Sequence, residues 1–266
     1  TGWYDIFSRG TIDNFIGLTN TDGPSSSQQK LVIGPWMHTP LTPVTDGLDS
    51  PTTSFIDDVH IDWLDSVFKT NHLEYEDKPV SAFIQGVGWK KYDCWPPKES
   101  KQLHYYLHST GRAQSRYGDG VLNFEMPNDE LPDVLIYEPL EPLLSNGGRS
   151  CCSPEVMGKT DQVDLENSRS VLVYSTPPFE KGLEFVGEAG LTIYISTDST
   201  DIDLIAKICL VDRAGVSKNI QDGVVRGSLR NSYWYPEKMT PGKVYRLKID
   251  LSPIGVRVSS GEKIRL

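Results

Sequence analysis

Gly2-Trp3-Tyr4-Asp5 and, after one helix-length segment, Leu31-Val32-Ile33-Gly34-Pro35-Trp36-Met37-His38 are the two stretches whose reading decides the fold. Each is a short β-type run that ends in a side chain with acid–base chemistry, an aspartate in the first and a histidine in the second. Between them Ile12, Phe15, Ile16 and Thr19 recur at helical spacing, and Gly23-Pro24 followed by Ser25-Ser26-Ser27 ends that helix in a loop. Lys30 to Gly34 is the continuous apolar run expected of a strand buried on both faces of a parallel sheet. Strand, helix and strand in that order predict two neighbouring parallel strands joined by a right-handed crossover. Asp5 and His38 would then lie side by side at the carboxyl edge.

Working outward, a Pro/Thr/Gly/Asp-rich loop from Pro40 to Thr53 precedes a second amphipathic pattern. In it Phe55, Ile56, Val59, Trp63, Leu64, Val67 and Phe68 mark one helix face, with Asp57 and Asp58 expected in its first turn and Lys69 and His72 near its end. Val80 to Gly86 reads as a further strand. From about Leu103 the pattern changes to short strands punctuated by Asp119-Gly120, Asn146-Gly147-Gly148, Ala214-Gly215, Asp222-Gly223 and Pro241-Gly242. Strands are predicted at 103–108, 133–137, 170–175, 183–186, 191–196, 203–211, 223–230 and 244–251. Spacing of this kind signals an all-β sandwich or barrel. The last residues, Val256-Arg257-Val258 and Lys263-Ile264-Arg265-Leu266, read as a hairpin stopped inside its second strand. The expected division is residues 1–102 and residues 103–266, with the second part truncated at its end.

Composition narrows the functional classes. With 38% apolar and 23% charged residues the chain has ordinary globular composition. It contains no run of about 18 apolar residues, so no membrane-spanning helix is expected. A formal charge of −10 argues against nucleic acid as a partner, because phosphate binding needs a basic face. Cys94, Cys151, Cys152 and Cys209 have no zinc spacing, and the adjacent pair does not resemble a secreted disulfide framework, which makes the cytoplasm the expected compartment.

The order acid then histidine, each just past a strand, is how an α/β-hydrolase presents the last two members of its triad. Asp5 would accept from the imidazole and fix its tautomer, and His38 would take the nucleophile's proton and return it to the leaving group. No Gly-x-Ser-x-Gly occurs anywhere, so the sequence reads as the C-terminal part of a serine hydrolase that carries two of the three triad members. Other features have plainer readings. At least one of Trp3 and Trp36 is expected to be a core aromatic. His60, His72, His104 and His108 have no second ligand at metal spacing, and no metal or cofactor is implied. Gly86-Val87-Gly88-Trp89 lacks the remainder of a phosphate loop and reads as a turn. Asp198, Asp201 and Asp203 match no calcium loop and read as a solvated connection.

Six motifs in sequence carry a resemblance. Gly2-Trp3-Tyr4-Asp5-Ile6-Phe7, Val32 to His38, Val80 to Gly86 with Trp89 and Trp95-Pro96, Ser145-Asn146-Gly147-Gly148, Asp201 to Ile208, and Asp222-Gly223-Val224-Val225-Arg226 together resemble the CocE/NonD family of serine hydrolases. That family includes bacterial cocaine esterase, α-amino-acid ester hydrolases, acylases and, more distantly, Xaa-Pro dipeptidyl peptidases. The resemblance implies the end of an α/β-hydrolase core followed by a jelly-roll β-sandwich. It also implies Asp5 as catalytic acid, His38 as catalytic base and Phe7 as an acyl-pocket residue. The loop after Asn146-Gly147-Gly148, which in relatives leans onto the active site with bulky apolar residues, here reads Arg149-Ser150-Cys151-Cys152. Cys151 and Cys152 at that place suit a smaller or more polar acyl group.

The implied partners are a small-molecule ester or amide and an N-terminal hydrolase portion holding the nucleophile and oxyanion donors. A homo-oligomer is compatible with this reading. Two other readings stay open: an Xaa-Pro dipeptidyl peptidase, and a non-catalytic jelly-roll binding module with a carbohydrate or protein partner, in which Tyr233-Trp234-Tyr235 would stack on sugar rings. Hydrogen-bonding reach between Asp5 and His38 separates the hydrolase readings from the last.

Overall fold

A computed structural model describes residues 1–38, 53–69, 78–151 and 156–266. The side chains of residues 53–55 are not among those described. Strand outweighs helix over the described residues as a whole, although the first part of the chain carries both long helices, and the elements that position the site come first in the chain.

A four-stranded sheet has the order β1 (Gly2–Tyr4), β2 (Leu31–Met37), β3 (Val80–Ile84), β4 (Gly88–Tyr92). The pairs β1–β2 and β2–β3 are parallel, and β3–β4 is antiparallel. Helix α1 (Ser8–Thr19) is the crossover between β1 and β2, and it buries Ser8, Ile12 and Phe15. Spacing of three and four residues puts those side chains on one face. Because successive strand residues point to opposite faces, Trp3 and Tyr4 look in opposite directions, yet both are fully buried. The sheet is therefore covered on both sides at this point. The Trp3 indole N–H donates to the Phe83 carbonyl at 2.6 Å, and the Tyr4 hydroxyl donates to the Asn219 carbonyl at 3.0 Å.

Helix α2 (Thr53–Lys69) confirms the second amphipathic pattern, with two differences. It begins early enough that Asp57 and Asp58 lie in its second turn, and Ile61, Leu64 and Phe68 on it stay exposed at 55%, 43% and 79%. His72 and the loop from Pro40 lie outside the described residues. The Gly86-Val87-Gly88 segment is the turn between β3 and β4, with left-handed glycines at both ends.

The remainder is built from β5 (Tyr106–His108), β6 (Val121–Asn123), the short α3 (Val163–Glu166), β7 (Leu183–Gly187), β8 (Gly190–Ile195), β9 (Asp203–Val211), β10 (Ser217–Arg226), β11 (Tyr245–Asp250), β12 (Ile254–Val258) and β13 (Lys263–Arg265). Every named pairing here is antiparallel: β10–β9–β13, β11–β8, β12–β7 and β5–β6. The expected terminal hairpin does not form. β12 pairs with β7 while β13 pairs with β9, so the turn at 259–262 carries the chain from one ladder to another. Residues 133–137, expected as a strand, are irregular, and 170–175 make only isolated bridges at Leu172 and Ser175.

The two groups of strands share one core. The Gln85 N–H donates to the Gly255 carbonyl at 2.9 Å and the Arg257 N–H to the Gln85 carbonyl at 2.8 Å, which lays β12 alongside the end of β3. A side chain at Gly255 would place its Cβ 2.5 Å from the Trp3 ring, so only glycine permits that approach. Met157 and Val186 pack into the cluster around Trp3, Ile33 and Trp95. Among the described residues no helix is long and apolar enough to cross a membrane.

Candidate active site

The register of the first two strands builds the site. Gly2 pairs with Gly34 and Tyr4 with Met37, so β2 spends one residue more than β1 over the same length. That extra residue falls beside Pro35, which has no N–H to give the ladder, and a bulge is the way a strand absorbs both facts. The pair Tyr4–Met37 ends the ladder, and the next residue on each strand is Asp5 and His38. Parallel strands ending in register leave their following side chains as neighbours.

They touch. His38 Nδ1 lies 3.0 Å from Asp5 Oδ1, with the imidazole 26% and the carboxylate 18% exposed. Asp5 is held by two further donors, the Phe7 N–H to Oδ1 at 3.0 Å and the Thr1 hydroxyl to Oδ2 at 3.1 Å. A carboxylate only accepts, so Nδ1 carries the shared proton, and in the neutral ring the lone pair is then on Nε2. Nε2 has no hydrogen-bond partner among the described residues. The Phe7 ring meets the imidazole edge-on at 5.0 Å between centroids and is itself 60% exposed. The geometry thus presents an imidazole whose neutral tautomer is set by Asp5, with an aromatic wall beside it.

Of the five expected site residues, Asp5, His38 and Phe7 come together. Cys151 is exposed and disulfide-bonded, a state that the sequence reading did not foresee, and Cys152 lies outside the described residues. The loop before Cys151 is pinned by Arg149, which donates to the Ser252 hydroxyl at 2.6 Å and the Asp222 carbonyl at 2.7 Å and pairs with the Asp222 carboxylate. The Ser252 N–H in turn donates to Asp250, and Asp250 and Glu188 receive Arg9 from α1. A polar chain therefore joins the helix after Asp5 to the loop before Cys151. Sequence reasoning missed Thr1, Arg9 and Arg149. Only Arg9 left a trace, an i,i+4 match to Asp13.

Among the described residues no cluster of three His, Cys, Asp or Glu side chains exists. His108 is bound at both ring nitrogens, by Glu130 at 2.6 Å and by the Glu125 carbonyl at 2.9 Å. Asp201 receives the Ser228 hydroxyl and N–H, and the hydroxyl holds its carboxyl below the usual range. Asp203 is taken by Arg226.

Parallel strands that bring a carboxylate and an imidazole together at their tips are one of the scaffolds on which hydrolytic acid–base pairs are mounted. The chain belongs to the family described as the X-Pro dipeptidyl-peptidase C-terminal non-catalytic domain, which matches residues 67–266. Asp5 and His38 both precede that match. The chain is 25% identical over 257 residues to the cocaine esterase of Rhodococcus sp. (strain MB1 Bresler), covering 94% of this chain and 44% of that protein. Its fold is similar to an aminopeptidase from the marine sediment archaeon Thaumarchaeota archaeon, with TM-score 0.79, 23% identity and coverage of 99% of this chain and 45% of the other. It is also similar to a CocE/NonD family hydrolase from Staphylococcus aureus, with TM-score 0.65, 16% identity and coverage of 100% and 44%. The resemblance to CocE/NonD hydrolases carried by the six motifs holds. The chain spans less than half the length of these relatives.

Proposed function

We propose that this chain supplies the acid and the base of a serine hydrolase that cleaves ester or amide bonds of small molecules through an acyl-enzyme. In this reading residues 1–102 are the end of an α/β-hydrolase core and residues 103–266 a jelly-roll β-sandwich. The single observation that carries it is the 3.0 Å contact between His38 Nδ1 and Asp5 Oδ1 at adjoining strand ends. A serine from the hydrolase portion not contained in this sequence attacks the carbonyl carbon while His38 Nε2 takes the hydroxyl proton. The imidazolium, stabilised by Asp5, hands that proton to the leaving alkoxide or amine as its bond to the acyl carbon breaks. Water then attacks the acyl-enzyme, gives one proton to the same nitrogen, and the serine leaves with it. Phe7, whose ring meets the imidazole edge-on, lines the acyl side.

A second reading, a peptidase that releases Xaa-Pro dipeptides, is favoured by the family over residues 67–266 and by the aminopeptidase among the structural neighbours. One experiment addresses both. The full-length protein is assayed on p-nitrophenyl butyrate and on Gly-Pro-p-nitroanilide, with His38→Ala and Asp5→Asn variants beside it. Loss of kcat by about three to four orders of magnitude in both variants supports the shared mechanism, and the preferred substrate separates the readings. Turnover undiminished in either variant removes the pair from catalysis.

A further inference from the structure

The connection between β10 and β11 carries three consecutive aromatic residues turned to water: Tyr233, Trp234 and Tyr235 are 85%, 87% and 78% exposed. A single exposed ring is ordinary, but three adjoining ones form a patch that needs an account. The segment is not loose. The Ser232 hydroxyl accepts the N–H groups of both Trp234 and Tyr235, at 3.1 and 3.2 Å. Arg230 donates to the carbonyls of Gly227 and Glu237, and Asn231 donates to the Glu237 carboxylate. Beyond the rings the Met239 N–H is tied to the Thr200 carbonyl and the Met239 side chain is buried. The rings are thus displayed on a clamped frame, which removes much of the ordering cost of binding.

Beside Tyr233 lies a cavity of about 290 Å³ lined also by Asp203, Val224, Val225, Arg226 and Leu229. Arg226 uses Nε and Nη2 on the two Asp203 oxygens, at 2.7 and 2.6 Å. Its Nη1, the Tyr233 hydroxyl and the Trp234 indole N–H have no partner among the described residues. The lining therefore combines apolar walls and an aromatic face with a fork whose charges cancel but whose outer donors and acceptors stay open. An anion gains little from an arginine already neutralised, and a cation gains little from an aspartate already paired. The chemistry that uses both parts is a neutral pyranose: its C–H face lies on an aromatic ring, and its hydroxyls both donate and accept. The volume is small for a drug-sized ligand and suits one sugar ring, with neighbouring rings running over Trp234 and Tyr235.

We propose that Asp203, Arg226, Tyr233 and Trp234 form a binding site for a neutral oligosaccharide. The site is separate from the Asp5–His38 pair and independent of the activity proposed for it. The full chain is titrated calorimetrically with maltoheptaose, cellohexaose and xylohexaose, each up to 5 mM, alongside Trp234→Ala and Arg226→Gln variants. Saturable binding of at least one is expected, weakened tenfold or more in each variant. The melting temperature of Trp234→Ala should match that of the parent, because its side chain is exposed. Absence of saturable binding to all three sugars overturns the proposal, as does binding that Trp234→Ala leaves unchanged. Sedimentation showing a dimer that Trp234→Ala dissociates would assign the face to self-association and equally overturn it.

Discussion

Removing Arg265 while keeping Glu166 tests the polar interior beneath β9 and β10. Both side chains of the ion pair are 9% exposed, and Glu166 also accepts from the Ser217 hydroxyl. In Arg265→Met the carboxylate loses its cation inside the protein, and the cheapest escape is to take up a proton. From the ordinary glutamate value of about 4.3, protonation at pH 7 costs about 3.7 kcal/mol, since each unit is worth about 1.4 kcal/mol. For a chain of this size that lowers the melting temperature by about 7–15 °C. The sign follows from linkage. The variant binds a proton in the folded state that the unfolded state releases, so its penalty grows as pH rises above about 4.3 and shrinks to about 1 kcal/mol at pH 5. Urea unfolding followed by tryptophan fluorescence at pH 5 and pH 7 measures it. The double variant Glu166→Leu/Arg265→Met, which leaves no buried charge, should recover most of the loss. A penalty equal at the two pH values, or below about 1 kcal/mol at pH 7, would refute the reasoning.

Nitrogen NMR of the imidazoles should find His38 protonated at Nδ1, and Asp5→Ala should move its neutral form towards Nε2–H; an Nε2–H tautomer in the parent protein contradicts the site geometry. Burial pushes the Cys209 thiol up to about 12, so iodoacetamide at pH 8 should label Cys94 in the folded protein and leave Cys209 unmodified until denaturant is added. Equal labelling of both in the native state would count against the packing of β9. The Glu130 hydrogen bond raises the pKa of His108, so its stabilisation is complete below about 6.5 and is lost as pH rises through the raised value. The difference in melting temperature between the parent and His108→Gln should be larger at pH 6 than at pH 9.

The first αβ unit was legible because its signals agree: helical spacing in α1, a continuous apolar run in β2 and an ionisable residue just past each strand. The neighbouring positions of Asp5 and His38 followed from the strand–helix–strand order, and their expected roles from the family resemblance. Pairing partners were harder to read. Val256 to Val258 and Lys263 to Leu266 look like a hairpin because only four residues separate them, yet each finds a more distant strand. Asp133-Val134-Leu135-Ile136-Tyr137 has strong β propensity but no strand to pair with, and Val134 to Tyr137 stay exposed. Propensity there loses to the Asp133 carboxylate, which is fixed by the Ser109 hydroxyl, the Ala113 N–H and the Tyr174 hydroxyl. β4 escaped notice because Gly88-Trp89-Lys90-Lys91-Tyr92 hides its alternation behind two lysines. Arg149 and its anchors Asp222 and Ser252 lie up to 103 positions apart in the chain. No local pattern announces such a contact.

The close approach of Gly255 to Trp3 also bears on how this protein can be taken apart. Anyone wishing to transplant the strand-rich half by cutting at residue 102 would uncover Val256 and the Gly255 backbone, and would strand Trp3 without its floor. The seam behaves as interior rather than as a joint. Swapping either half for that of a cousin therefore demands matched changes on the other side, and libraries shuffled at that position should yield few folded members unless residues 3, 84, 85 and 255 travel together.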